Sequence, residues 1–149
     1  MSEESCTVRS TKGMGRFAAE FEVANNEDVI DARNGVLLPE KIRSARLRGV
    51  VDTGASNLVL PASVVSALGL PGGRPTVVQY ADNRTAVRQV VQNVEVRLLD
   101  RSSIFYAIVE PDCPEPLIGA IVLEVLDLVV NSKTHQLEPR DPRMTISYI

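Results

Sequence analysis

One aspartate in this chain stands where an aspartate is hard to keep. Gly49-Val50-Val51 leads into Asp52-Thr53-Gly54-Ala55-Ser56, and Leu58-Val59-Leu60 follows. Apolar residues on both sides place the segment between two buried strands, and a buried carboxylate needs either partners or a task. Loops that merely join strands run over the surface. Asp and Gly are common turn formers, so an ordinary strand-ending turn is the plainer reading of the tripeptide taken alone. Thr53 adds a hydroxyl able to lock such a turn, and Gly54 lets the backbone pass close to a neighbour. The pentapeptide occurs once.

The remaining sequence has to build a core from aliphatic side chains. Hydrophobic residues make up 44% of the 149, yet there is no Trp and only three Tyr and three Phe. That content suits a folded chain, and the length suits one domain. We read residues 1–14 as a polar N-terminal tail and 15–149 as a single domain. A net charge of −3 speaks against a nucleic-acid partner. The one cationic run, Lys41, Arg43, Arg46 and Arg48, reads as a solvated strand face. No apolar run reaches the roughly 18 residues of a membrane span. Cys6 and Cys113 make neither a disulfide framework nor a zinc pair, and Met1 to Lys12 lacks the apolar stretch of a signal peptide, so a reduced, cytoplasmic setting is expected. Neither a metal nor a cofactor is expected. His135 stands alone, and Gly13-x-Gly15 precedes a strand where a dinucleotide loop would precede a helix. Ser56 has no histidine suited to a serine-type site.

Along the chain the pattern is one of short strands. Phe17, Ala19, Phe21 and Val23 alternate onto one face from Gly15 to Val23. Asn25 to Asp28 reads as a turn cluster and Asn34-Gly35 as a hairpin-type turn. Ala45, Leu47, Gly49 and Val51 share one face of a strand running straight into Asp52. Pro61 opens a short helix over Ala62 to Leu68 that Gly69 ends. Thr76 to Tyr80 and Thr85 to Arg88 bracket the polar tip Ala81-Asp82-Asn83-Arg84 as a hairpin. Strands follow over Val90 to Asp100, with Val94, Val96 and Leu98 on one face, and Ile104 to Val109. A second short helix is read from Ile121 to Leu128, a further hairpin around Asn131-Ser132-Lys133, and a last strand over Met144 to Ile149. The sum is an all-β, closed-barrel-like domain with one or two short helices.

A pattern repeats weakly. An apolar strand, Gly-Ala and a short helix occur at Val50 to Ala55, with the Pro61 helix beyond, and again at Leu117-Ile118-Gly119-Ala120; internal repetition points to a duplicated unit. In order, the Asp52-Thr53-Gly54-Ala55 loop, the hairpin tipped by Ala81 to Arg84 and Leu117-Ile118-Gly119 resemble the retropepsin-like aspartic proteases, over roughly Leu47 to Val130. The likeness is to the cellular, bacterial-type members. It implies the acid-protease barrel with a flap hairpin, Tyr80, Ala81, Asp82, Asn83, Arg84 and Thr85, closing over an extended peptide or protein substrate. It also implies Asp52 as the catalytic residue, with Thr53, Gly54, Ala55 and Ser56 as the active-site loop.

The chemistry of that family needs two carboxylates, one acting as base and the other protonated. Like charges held together share one proton. One chain offers only Asp52, so a homodimer that sets two copies face to face is implied. Ala55 stands where pepsins carry serine, so activity at milder pH than theirs is expected. The polar, charged flap tip departs from the glycine-rich viral pattern. Two rival readings stand beside the endopeptidase: a non-catalytic peptide-binding or dimerisation module on the same fold, and a structural domain in which Asp52 merely ends a strand. By resemblance, Met144 to Ile149 would interleave at the dimer interface.

Overall fold

Alternation along two strands begins the barrel. The computed structural model describes residues 16–149, so the tail expected over 1–14 lies outside the described residues. β1 (Arg16–Asn25) pairs antiparallel with β2 (Ser44–Asp52), setting Phe21 opposite Leu47 and Arg16 opposite Asp52. Phe21 and Val23 point into the core while Glu20 and Glu22 stay exposed. Arg46 reaches both glutamates at 3.1 Å across the outer face. Such exposed pairs contribute little to stability, about 0–1 kcal/mol.

β2 next takes β7 (Leu117–Ile118) in parallel, and β7 takes β3 (Val59–Pro61) antiparallel. β3 takes β6 (Arg101–Glu110) in parallel, β6 takes β5 (Thr85–Leu98) antiparallel, and β5 returns to β1. These six strands close a barrel, and β4 (Arg74–Gln79) hangs from the free side of β5. Closure leaves no open edge around the core, whereas β4 keeps one. Leu58, Leu60, Val91, Val94, Val96 and Ile118 fill the interior with 2% exposure or less. Burial of each such side chain contributes about 1.5–3 kcal/mol, which is how a core without Trp holds.

The two expected short helices are present. α2 (Ala62–Leu68) follows Pro61 and ends at Gly69 in the left-handed conformation, φ 65°. α3 (Ala120–Leu126) ends at Asp127, also left-handed at φ 61°, two residues earlier than its apolar run suggests. A third helix, α1 (Asn26–Arg33), forms where the sequence reads as a turn. Asn25 caps it, accepting hydrogen bonds from Glu27 N at 2.9 Å and Asp28 N at 3.1 Å. An Asn cap before an acidic first turn was the signal; the absence of a 3.6-residue apolar period hid it.

Past α3, β8 (Leu128–Asn131) and β9 (Gln136–Pro139) make the expected hairpin as a separate small sheet. The strand expected over Met144 to Ile149 does not form. Side chains hold that segment instead: Asp127 Oδ2 accepts from Ile146 N at 3.1 Å, and Arg140 Nη1 donates to the Tyr148 hydroxyl at 2.7 Å. The closed barrel offers it no edge, and it pairs with neither β8 nor β9. Cys113 is buried and disulfide-bonded, so it is not the free thiol that a reduced setting implied. No described helix is long and apolar enough to cross a membrane.

Candidate active site

Asp52 closes β2, and the chain turns immediately. Gly54 N donates to Asp52 Oδ1 at 2.9 Å, and Ala55 N donates to the Asp52 carbonyl at 3.1 Å. The carboxylate thus folds its own loop, with Thr53, Gly54 and Ser56 exposed and Ala55 buried. Asp52 itself is only 1% exposed. Its Oδ2 is buried and has no hydrogen-bond partner among the described residues. Leaving a buried acceptor unsatisfied costs about 1–3 kcal/mol, more when it is charged. Native folds rarely leave such an atom unpaired, so this oxygen asks for an explanation.

The second half-pattern is the loop's foundation. Leu117 and Ile118 wedge between β2 and β3, opposite Val50, Val51 and Val59. Ala120 N then donates to Ala55 O at 2.8 Å, and Ile121 N to Ser56 O at 2.9 Å. The first N–H groups of α3, which have no partner inside the helix, are therefore satisfied by the loop. Gly119 makes this approach possible, since a Cβ there would lie 2.4 Å from Asn57 O.

Over the loop stands the β4–β5 hairpin, in register from Arg74–Val90 to Gln79–Thr85. At its tip Asn83 N donates to Tyr80 O at 2.9 Å and Tyr80 N to Arg84 O at 2.8 Å. Asn83 takes φ 70°, a conformation that Asn tolerates better than most residues. The tip is braced by its own polar groups. Arg84 pairs with Asp82 at 2.8 Å and stacks over the Tyr80 ring at 4.7 Å, while Gln79 Nε2 donates to Asn83 Oδ1 at 3.0 Å. Arg84 holds Asp82 below the usual carboxylate range.

Between loop and hairpin lies a cleft of about 430 Å³, lined by Gly54 to Asn57, Val59, Thr76 to Ala81, Ile108 and Glu110. It brings together Gly54, Ala55, Ser56, Tyr80 and Ala81 of the expected site. Asp52 and Thr53 do not reach the lining, nor do Asp82, Asn83, Arg84 and Thr85. One residue that the sequence reading passed over sits at its side. Glu110, 5% exposed, ends β6; its Oε2 accepts from the Tyr80 hydroxyl and its Oε1 from Arg88 Nε at 2.9 Å. Burial, and then the bond to Glu110, push the Tyr80 phenol above its ordinary value. The available signal was a charged residue directly after the apolar strand Ile104 to Val109. Among the described residues no cluster of His, Cys, Asp or Glu could hold a metal ion.

Comparison with known protein families gives one match: the aspartyl protease model, over residues 38–122. That span is more than half of the chain and contains the Asp52 loop, the hairpin and Leu117-Ile118-Gly119. The chain belongs to the aspartyl protease family. No curated protein matches it closely enough to refine that assignment. Family membership fits the closed barrel, and the matched span begins ahead of β2 and ends within α3. The β8–β9 hairpin and the C-terminal segment lie beyond it.

Proposed function

We propose that this protease is an endopeptidase whose working site is a pair of Asp52 carboxylates in a homodimer. The observation that carries the reading is the buried Asp52 Oδ2 without a partner, at the end of a strand inside the family's matched span. A second Asp52 across a twofold axis would supply the missing neighbour, because a twofold interface sets equivalent residues opposite each other. The pair would hold one proton between the two carboxyl groups. The ionised group takes a proton from water, whose oxygen attacks the peptide carbonyl. The protonated group donates to the carbonyl oxygen, and the resulting adduct collapses with proton transfer to the leaving amine. The peptide would lie extended in the cleft, adding to the free edge of β4.

Pairing asks for one local movement. Thr53 and Gly54 are exposed while Asp52 is enclosed, so the turn must shift to bring Oδ2 to the axis. The same enclosure is what favours the second reading, a peptide-binding or dimerisation module that does not cut. Asp52→Asn separates the two. The proposal expects peptide-library cleavage by the native protein and none by the variant; full cleavage by the variant refutes it. Binding without cleavage by the native protein supports the module.

A further inference from the structure

We infer that Glu110 is the positioning residue of the flap: one buried carboxylate on the barrel that grips both flap strands and holds the hairpin over the cleft from within the same chain. The inference takes the β4–β5 hairpin to be the substrate-covering flap of the proposed protease.

The hairpin has little else to hold its outer half. Among the described residues β4 pairs with β5 alone, and its second edge is free. The cross-strand pair Val77 and Val87 is 69% and 61% exposed, so those side chains bury little against the barrel. A two-stranded hairpin standing by itself is marginal in water. At the base Gly73 passes so close to the Val90 carbonyl that no side chain would fit, which pins the near end. At the far end Tyr80, the residue that closes β4, is 4% exposed and gives its hydroxyl to Glu110 Oε2. Arg88, on the other strand, donates to Glu110 Oε1 at 2.9 Å.

Both carboxylate oxygens are thus committed to the hairpin, one to each strand. Bonds to a charged partner are about twice as strong as neutral ones. Glu110 itself is fixed by the sheet, since β6 pairs with β3 through Pro61 opposite Glu110. The clamp therefore connects the hairpin to the strand that follows the Asp52 loop. Tyr80 and Glu110 also line the cleft, so flap position and cleft shape depend on the same two side chains.

The test uses Tyr80→Phe, which removes only the hydroxyl, and Glu110→Gln, with Val87→Thr, exposed and outside the cleft lining, as control. Amide hydrogen exchange is followed in peptides spanning 74–88 and 94–108. The inference expects exchange in 74–88 to quicken about tenfold in both variants, as for loss of a charge-assisted bond, with 94–108 and the control unchanged. Equal acceleration in both regions, or none, overturns it, because Glu110 would then be ordinary framework. On any peptide the native protein cleaves, KM should rise about tenfold with kcat nearly constant, since substrate must first order the flap. A fall in kcat at constant KM also overturns it. If the native protein cleaves nothing, the exchange result still decides the clamp, and only the catalytic proposal fails.

Discussion

The floor and the roof of the cleft are made in different ways. Main-chain bonds hold the floor: Ala120 N and Ile121 N donate to Ala55 O and Ser56 O, and Gly119 gives the space. The roof is held by side chains, with Tyr80 and Arg88 on Glu110 and a tip braced by Asp82, Asn83 and Arg84. A backbone-held floor can be disturbed only by changing the few residues that let chains approach. A side-chain-held roof can be loosened one bond at a time. Precision is placed where the carboxylate sits, and adjustability where a substrate would enter.

The most severe way to break this contrast is Gly119→Ala. Its methyl group would meet Asn57 and Ser56 backbone atoms at 2.4–2.6 Å. Backbone cannot give way as a flexible side chain can, so a stability loss of about 3 kcal/mol or more is expected in urea melts, with loss of any cleavage. Asp52→Asn should separate stability from activity. Cleavage should fall roughly a thousandfold or more, while the melting temperature changes little, because Asn keeps the shape of the side chain and can still accept from Gly54 N. A variant that melts far lower would mean that the Asp52 carboxylate holds the fold as well as the site.

The roof should respond more gently. Asn83→Ala leaves the hairpin register but puts alanine at φ 70° and deletes the Gln79 bond. A stability loss of about 1 kcal/mol is expected by thermal or urea unfolding. A loss as large as that of Gly119→Ala would erase the distinction between roof and floor.

The C-terminal segment extends the contrast to a third, charge-held region. Asp141 is held down to about 2, first by the Arg143 side chain and then by its backbone N–H. Asp127 is lowered by the Ile146 N–H first and by Arg140 after its burial is overcome. Folded-state values below the ordinary one mean that this stabilisation is present above about pH 4 and is lost as pH falls through the folded values. Amide signals of Ile146 and its neighbours should therefore shift to detached positions between about pH 4 and 2, before the barrel's signals do. The effect is the smallest of the set, because the arginine partners are open to water, Arg143 at 81% and Arg140 at 37%.

What could be read from the sequence was local or repeated. The Asp52 loop, the Leu117-Ile118-Gly119 strand, α2 with its Gly69 stop and the β4–β5 hairpin each carry their cause within about ten residues. Alternation then placed Phe21, Val51 and Val96 in the core. What escaped depends on distance or on a competing local rule. Glu110 and Tyr80 are thirty positions apart, and only the closed barrel brings them together. Met144 to Ile149 has an apolar pattern suited to a strand, yet the barrel is closed once β5 meets β1, and bonds to Asp127 and Arg140 hold the segment instead. Asn25 reads equally well as a turn residue or a helix cap, and the buried Asn25–Leu68 bond at 2.9 Å shows how the fold chose. The burial of Asp52 itself was visible in its flanks, but not its unpaired oxygen.

The central claim is that two copies of Asp52 act as one site. A mixing titration tests it most directly: Asp52→Asn is added to a fixed amount of native protein under conditions where chains exchange, and cleavage is followed. With equal amounts, random pairing leaves about half of the native chains facing another native chain, so activity should fall to about half and decline further as the variant is increased. Activity that stays constant throughout the titration would mean that each chain works alone, and would contradict the paired site.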